Sequence, residues 1–415
     1  MPNTDAILNR CQVARFSYVR SFGLNAMLLF PWFFVCLLAA LPAIRDGQVD
    51  FRGHYAAGYM IRSGLGHEIY DYSAQKRIQD ELVSPAQLAL PFVRPAYQPL
   101  LFAPFSFLAF RQAYFAFYAF DLAVLILCFR LLRPYLANLA RVASYLPAAM
   151  FLFFPIAETL IQGQDSIILM ALLLGALTCI QRDRECLAGV LVAFGLFKFQ
   201  LVIPIAVLFL VWRRWRFTAA FACTAALLAA VSLWIAGMAQ SVHYLTSMIQ
   251  MGSSLNFSSG SPVRVNQMAN LHGAFYGILG RSPYVLPLTI ASSAAMMIYA
   301  AFRRPHGVNA LLIAIPVSVA VSYHLFIHDM CVLLIPIVLV LDRIAEERKT
   351  KHQYGLLRMA SVVLLFAAPT CLLFAIDRFW IASLPLFAFA IAVSVLEPQD
   401  NPHALTLHQA SDAKA

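Results

Sequence analysis

About twelve apolar runs follow one another along the chain, and they constrain its fold more than any other feature. A helix needs about 20 apolar residues to cross a bilayer, and fewer where other helices surround it. Hydrophobic residues make up 61% of the 415 positions and charged residues 12%, too few charges to cover the surface of a soluble enzyme. We therefore predict an all-α, polytopic transmembrane helical bundle. The predicted spans are 22–42, 111–132, 141–157, 165–181, 185–197, 199–212, 216–237, 284–302, 308–325, 327–342, 355–375 and 379–397.

Two of these runs, 185–197 and 199–212, are short and are separated by Lys198. They predict either two short spans or one span that bends around the lysine. The choice matters because it decides on which side of the membrane every later loop lies.

The basic residues predict the orientation. Arg10, Arg15 and Arg20 precede the first run, which places the N-terminus in the cytoplasm. With twelve spans, the short loops on the opposite side hold only Lys198 and Arg378. Retention of basic loops in the cytoplasm and attraction to anionic lipid explain the net charge of +10, so no nucleic-acid partner is expected. We expect a multi-pass protein of the plasma (inner) membrane.

The same pattern divides the chain into three parts. Residues 1–21 form a cytoplasmic arm, 22–397 a transmembrane domain, and 398–415 a disordered cytoplasmic tail. The transmembrane domain carries two long external loops, 43–111 and 237–283. Within the first loop we expect amphipathic helices over 53–64 and 73–84, followed by a re-entrant or interfacial stretch from Pro91 to Pro104.

The costly polar residues at the membrane edge are predicted to share the external side. Ionisable groups in or near the apolar core are rare and usually functional. A single pocket that opens outward is therefore expected. Its members are Asp50, Arg94, Gln164, Asp165, Lys198, Asn266, Gln267, His324, His328 and Asp329.

Asp50 directly follows the first span. A carboxylate held at a membrane edge has a raised pKa and suits a general base. The alternative is an ordinary helix cap, together with Asp46.

His324, His328 and Asp329 allow three interpretations. Helical spacing would put the two histidines on one face. With Asp329 they are possible metal ligands, contacts for a substrate or phosphate, or merely groups that stabilise the start of a helix.

The remaining polar residues have equally open roles. Lys198 and Arg94 either contact a phosphate or extend along apolar surface towards water. The stretch Gln162–Asp165 either caps a helix or hydrogen-bonds sugar hydroxyls. The chain contains no GxxxxGK[ST] or GxGxxG loop and no DxD motif, which disfavours a nucleotide-sugar donor.

Several short motifs follow one another between about residues 45 and 340. They are Asp50-Phe51, Tyr55-Ala56-Ala57-Gly58, Gly66 to Asp71, Tyr97-Gln98-Pro99-Leu100 with Pro104, Gly163-Gln164-Asp165-Ser166, Ala188-Gly189, Lys198, Trp212 to Arg216, Asn266-Gln267 and His328-Asp329. Together this set resembles glycosyltransferase family 87, the polyprenyl-phosphate-mannose-dependent mannosyltransferases. The chain departs from that pattern at Met268 and at Phe199-Gln200.

The resemblance implies a C-type glycosyltransferase fold. It also implies an inverting transfer of a hexose from a polyprenyl-phosphate donor to a lipid or glycan acceptor, with mannose as the main candidate for the hexose. It implies Asp50 as general base and His328 as a substrate-site histidine in the catalytic centre, with no cofactor or metal ion. We expect further substrate contacts from Arg94, Tyr97, Gln164, Lys198, Arg264, Asn266, His324 and Asp329.

The main rival is a secondary transporter or flippase of lipid-linked sugars. It agrees with twelve spans, but it predicts two repeated halves, which the sequence does not show. A polymerase or ligase that uses diphosphate lipids, or a non-catalytic lipid-binding protein, are further alternatives.

Overall fold

Every regular element in the described part of the chain is helical, which confirms the predicted all-α class. The computed structural model describes residues 38, 40–85, 89–136, 153–254, 263–346, 360–361 and 373–395. We number the helices α1 (Phe51–Arg62), α2 (Tyr72–Leu82), α3 (Phe110–Leu132), α4 (Phe154–Gln162), α5 (Ser166–Gln181), α6 (Glu185–Phe194), α7 (Phe199–Val211), α8 (Trp215–Ser254), α9 (Leu271–Leu279), α10 (Val285–Ala301), α11 (Asn309–Val321), α12 (Leu334–Glu346) and α13 (Ser383–Val395).

Three stretches in these residues are long and apolar enough to cross a membrane. They are Phe110–Tyr135, Glu185–Val211 and Trp215–Gln250. Four shorter apolar helices accompany them, at Ser166–Gln181, Val285–Ala301, Asn309–Val321 and Phe379–Ser394. These elements support a membrane protein, and the count of twelve spans stays a prediction. The arm 1–21, the tail 398–415 and most of the runs 22–42, 141–157 and 355–375 lie outside the described residues.

The stretch around Lys198 folds back on itself, so it is not one straight helix, and whether it forms two short spans or one bent span stays a prediction. Arg214, just after α7, donates a 2.6 Å hydrogen bond from Nη1 to Oε1 of Glu185, the first residue of α6. The helices α6 and α7 are therefore the arms of a V, and the turn Gly195–Lys198 is its tip. The arms are only about 15 and 20 Å long at 1.5 Å per residue. Each is shorter than the apolar core of a bilayer, about 30 Å.

A close helix crossing holds the first arm of the V in place. Helix α6 packs against α8, and Gly189 faces the backbone of Phe217 there. A methyl group at Gly189 would overlap the Phe217 carbonyl oxygen. The crossing therefore needs a residue without a side chain.

We expect Gly189→Ala to lower the unfolding temperature of the purified protein in detergent. The added methyl group must push two backbones apart, and such overpacking costs about 1–3 kcal/mol. Gly175→Ala is the matched control, because there the nearest atom is the mobile end of Leu191. Equal unfolding temperatures for the two variants would contradict this close crossing.

The first long loop contains two packed helices, as predicted. Helix α1 begins two residues before its predicted start, and α2 begins one residue before. Arg52 on α1 is 1% exposed and ties the helices together. Its Nε donates to Gln79 on α2 (2.9 Å), and its Nη2 donates to the Ser84 carbonyl (2.6 Å). The stretch Pro91 to Pro104 is irregular apart from the short turn Gln98–Leu101.

Next to Asp50, Phe51 anchors the start of α1. Its ring lies 5.3–6.1 Å from the rings of Phe102 and of residues on α3, including Tyr114 and Phe117. Helix α1 is thereby held against the membrane-spanning part of the molecule, which places Asp50 at their junction.

Helix α8 is longer than predicted. The predicted span ended at residue 237, but the helix bends at Gly237 (φ +76°, ψ 168°) and continues to Ser254. Glycine readily adopts this positive φ, since it has no Cβ. The first part of the predicted external loop 237–283 is therefore helical, up to Ser254.

Candidate active site

The carboxylate of Asp50 is held by a side chain from a distant part of the sequence. Gln164 Nε2 donates a 2.8 Å hydrogen bond to Asp50 Oδ2. Asp50 occupies the N-cap position of α1, but its side chain makes no capping hydrogen bond. The interpretation of Asp50 as an ordinary cap is therefore wrong, because its carboxylate turns towards Gln164 instead.

The turn between α4 and α5 presents Gln164. Gly163 ends α4 in the left-handed conformation, with φ +63°, and its Cα packs so near Phe51 that an added Cβ would lie 2.7 Å from Phe51 Cβ. From the same turn, Gln162 Oε1 accepts the backbone N–H of Asp50 at 3.2 Å. Both ends of the turn thus hold Asp50, which explains the Gln-Gly-Gln-Asp order.

Burial raises the pKa of Asp50 above its usual value, and it is the largest influence on this carboxyl. The hydrogen bond from Gln164 and the charges of Arg94 and Lys198 act in the opposite direction. A carboxylate with a raised pKa is a better proton acceptor than an exposed one.

A buried lysine between two carboxylates forms the centre of the site. Lys198 at the tip of the V is 0% exposed, and its Nζ lies 3.1 Å from Asp165 Oδ1 and 2.5 Å from Asp329 Oδ1. We expected Lys198 to reach towards water or to offer a free charge to phosphate. The structure corrects both expectations, since the ammonium is buried and already paired with two carboxylates.

The turn Ile327–Leu333 brings His328 and Asp329 to this centre. It packs against α4 and α5, and Asp329 Oδ1 also accepts from Ser166 Oγ at 3.4 Å. His328 Nε2 lies 3.6 Å from the same carboxylate oxygen. That nitrogen is buried and has no hydrogen-bond partner in the described part of the chain, so its hydrogen-bonding capacity is unused.

Arg94 links the Asp50–Gln164 pair to the carboxylates around Lys198. Its Nη2 lies 3.5 Å from Gln164 Oε1 and 4.0 Å from Asp165 Oδ1, while Nη1 donates to the Phe197 carbonyl at 3.0 Å. The Arg94 side chain is 14% exposed, unlike that of Lys198. Arg94 is thus the cation of this cluster with N–H groups still open to a ligand.

Two contributing residues, His54 and Gln98, were missed in the sequence. Gln98 Nε2 donates to Asp165 Oδ2 at 2.9 Å and lies 3.4 Å from His54 Nδ1. His54 Nε2 lies 3.5 Å from Gln164 Oε1, and burial lowers the pKa of this histidine to about 4. A neutral His54 therefore supports Gln164. Its position four residues after Asp50, on the same helix face, was the available signal.

Other predicted residues lie beside the cluster or away from it. Tyr97 donates from its hydroxyl to the Phe194 carbonyl at 3.2 Å, on the first arm of the V. His324 was expected on one helix face with His328, but it lies in an irregular segment after α11, with its ring 4.5 Å from Phe326. Arg264 is exposed, and Asn266 bonds to Asp377 (3.3 Å), so no described contact links either residue to Asp50.

The metal interpretation finds no support in the described residues. Among them, no group of three or more histidine, cysteine, aspartate or glutamate side chains is arranged to hold an ion. In the cluster, Lys198 occupies the position between Asp165 and Asp329 where a cation would lie.

A short series of contacts runs from Asp50 through Gln164, Arg94, Asp165, Lys198 and Asp329 to His328. A carboxylate with a raised pKa therefore lies in the same network as a partly exposed guanidinium and an imidazole with an unpaired nitrogen. Such a network is suited to proton transfer beside an anion.

Comparison with known proteins identifies a family for this chain. The model of glycosyltransferase family 87 matches residues 92–327, more than half of the chain. Asp50 lies before the matched segment, and His328 directly follows it. Neither curated proteins nor solved structures provide a significant match.

Proposed function

The chain belongs to glycosyltransferase family 87, and from that membership we propose an inverting transfer of a hexose, mannose first, from a polyprenyl-phosphate donor. The acceptor is a lipid or glycan on the external face of the plasma membrane, and the architecture is of the C-type. Family membership implies glycosyl transfer, and the apolar helices agree with a membrane-bound enzyme. The donor, the sugar, the acceptor and the side of the membrane on which transfer occurs are proposals.

One observation carries the proposal. The Gln164 carboxamide contacts the Asp50 carboxylate with its nitrogen and faces the Arg94 guanidinium with its oxygen. From these contacts, the carboxylate and the guanidinium lie at most about 9 Å apart, given ordinary hydrogen-bond lengths. That upper limit puts the two groups within reach of one bound sugar phosphate.

The reaction is a single displacement. Asp50 takes the proton from an acceptor hydroxyl, and the acceptor oxygen forms a bond to the anomeric carbon. The bond between that carbon and the phosphate oxygen breaks, and polyprenyl phosphate leaves with the electron pair. Attack from the opposite face inverts the configuration, so a β-linked donor yields an α-linked product.

The leaving phosphate gains negative charge, which fixed positive groups stabilise. Arg94 and His328 Nε2 have unused hydrogen-bonding capacity for this purpose, whereas Lys198 is committed to Asp165 and Asp329. We assign Lys198 to positioning the two carboxylates.

The direct test supplies the purified protein in liposomes with radiolabelled polyprenyl-phosphate mannose and a lipid extract as acceptor. We expect label in a new α-linked product, identified by mass spectrometry and α-mannosidase digestion. Movement of the labelled lipid across the bilayer without a new glycosidic bond would instead establish the flippase. Absence of both products with mannose and other hexoses would overturn the proposal.

We expect Gln164→Leu to shift the acid side of the pH–rate profile to higher pH. Asp50 acts when ionised, so transfer falls as pH drops through its pKa. The Gln164 hydrogen bond lowers that pKa, and its removal raises the pKa further. Initial rates of transfer across pH provide the measurement.

Gln48→Leu is the control for this experiment, since Gln48 is exposed and lies two residues before Asp50. Its profile should coincide with that of the wild type. An unshifted acid side in Gln164→Leu, with transfer still measurable, would disprove the coupling of Gln164 to the base.

A further inference from the structure

The helical segment after the bend at Gly237 has an apolar row on its outer face. Met238, Val242, Leu245 and Ile249 are each 51–73% exposed. Their spacing of four, three and four residues places them on one side of the helix. A helix with such a face lies against the lipid at a membrane surface.

The opposite face of the same segment carries two polar side chains with unmet hydrogen bonds. The Tyr244 hydroxyl and Gln240 Oε1, one turn apart, are buried and have no hydrogen-bond partner in the described part of the chain. Leaving such a group buried without a partner is unfavourable, so a ligand that pairs with it gains stability. The Tyr244 ring is fixed, because it stacks on Tyr70 with ring centroids 4.8 Å apart.

This inner face borders the open cation of the candidate active site. Tyr70 donates from its hydroxyl to the Arg94 carbonyl at 2.9 Å. The Tyr244 ring therefore reaches the Arg94 backbone through one intervening residue, Tyr70. Arg94 has five N–H donors, and the described contacts use only part of them.

We propose that Tyr244 is a phosphate-binding residue at a lateral lipid entrance. The phosphate of a polyprenyl phosphate lies between the Arg94 guanidinium and the Tyr244 hydroxyl, and both groups donate hydrogen bonds to it. The isoprenoid chain passes along the segment 238–254 into the surrounding lipid. This inference rests on the proposed donor class, and it names the helical segment along which the donor enters.

Charge complementarity favours a phosphate over a neutral lipid. The only cations in the described cluster are Lys198 and Arg94, and Lys198 is already neutralised. An anion beside Arg94 accepts hydrogen bonds both from the guanidinium and from the tyrosine hydroxyl, which satisfies the buried group. The adjacent apolar row then accounts for the lipid tail.

Binding of geranylgeranyl phosphate to the full-length protein in detergent tests the entrance. Geranylgeraniol lacks the phosphate, inorganic phosphate lacks the chain, and native mass spectrometry measures all three. We expect Tyr244→Phe to weaken binding of geranylgeranyl phosphate about tenfold, because a hydrogen bond to an anion is lost. Affinity for geranylgeraniol should not change. The unfolding temperature without ligand should be equal or higher, since an unsatisfied hydroxyl is removed.

Tyr284→Phe is the matched control, as Tyr284 is 68% exposed, and it should behave as the wild type. Equal affinity of Tyr244→Phe and wild type for geranylgeranyl phosphate would overturn the inference. So would an equal loss for geranylgeraniol, or inorganic phosphate binding as tightly as the lipid.

The outcome separates this inference from the proposed function. Phosphate-dependent lipid binding that Tyr244→Phe weakens, in a protein without transferase activity, supports the entrance and refutes the transfer. Transfer with an unchanged KM for the donor in Tyr244→Phe refutes the entrance and supports the transfer.

Discussion

Replacing Asp50 with asparagine is expected to lower the rate of sugar transfer by about 10²–10⁴-fold, the usual contribution of a positioned base. Asparagine has nearly the same shape, and its amide oxygen can still accept the hydrogen bond from Gln164 Nε2. The packing of Phe51 next to it is also retained. Loss of activity therefore reports on proton transfer rather than on folding. Initial rates in membranes, normalised to the amount of folded protein, measure the effect.

Asp46→Asn is the matched control. Asp46 lies four residues earlier, and its described side-chain partner is the exposed Arg45. This variant should transfer sugar at the wild-type rate. Full activity in Asp50→Asn would remove Asp50 as the base and leave the reaction without a proton acceptor at this position.

Replacing Lys198 with methionine is expected to have the largest effect on stability. The substitution leaves Asp165 and Asp329 buried beside each other without their shared cation. Breaking a buried ion pair on one side costs about 3–5 kcal/mol, because an uncompensated charge stays in a medium of low dielectric constant. A large fall in the unfolding temperature in detergent, or failure to accumulate folded protein, is the expected result.

Two further variants make this test decisive. Arg214→Met breaks the ion pair with Glu185, whose side chains are 23% and 21% exposed, so its cost should be small. Combining Lys198→Met with Asp165→Asn and Asp329→Asn removes all three charges and should restore much of the stability. Wild-type stability in Lys198→Met alone would mean that the lysine reaches water and is not the centre of the cluster.

The residues of the candidate site were predicted better than their roles. Asp50, Arg94, Gln164, Lys198 and Asp329 were selected because polar groups are rare in such an apolar chain, and the structure brings them into one network. Their partners were not predictable by that criterion. A cost of burial identifies an unusual residue, but it does not say which distant residue compensates the charge.

His54, Gln98 and Tyr244 were missed for a related reason. Tyrosine is common at membrane edges, and His54 and Gln98 lie in a predicted external loop where polar side chains are ordinary, so their presence there carried little information. Arg264 and Asn266 stand out in the sequence of the second long loop, but they make no described contact with the cluster, so their contact with a substrate stays a prediction.

Composition and hydropathy were enough to predict the class of this protein and the positions of several of its apolar helices. Hydropathy is a local property, since the free energy of placing a run in lipid depends on the residues of that run. The ends of α3, α5 and α10 accordingly fall within a residue or two of the predicted spans. Only the tertiary structure decided that the chain reverses at Lys198, that Gly237 bends a helix which continues, and that Lys198 pairs with Asp329, 131 positions away. These features depend on contacts between segments far apart in the chain, whose energies no local pattern contains.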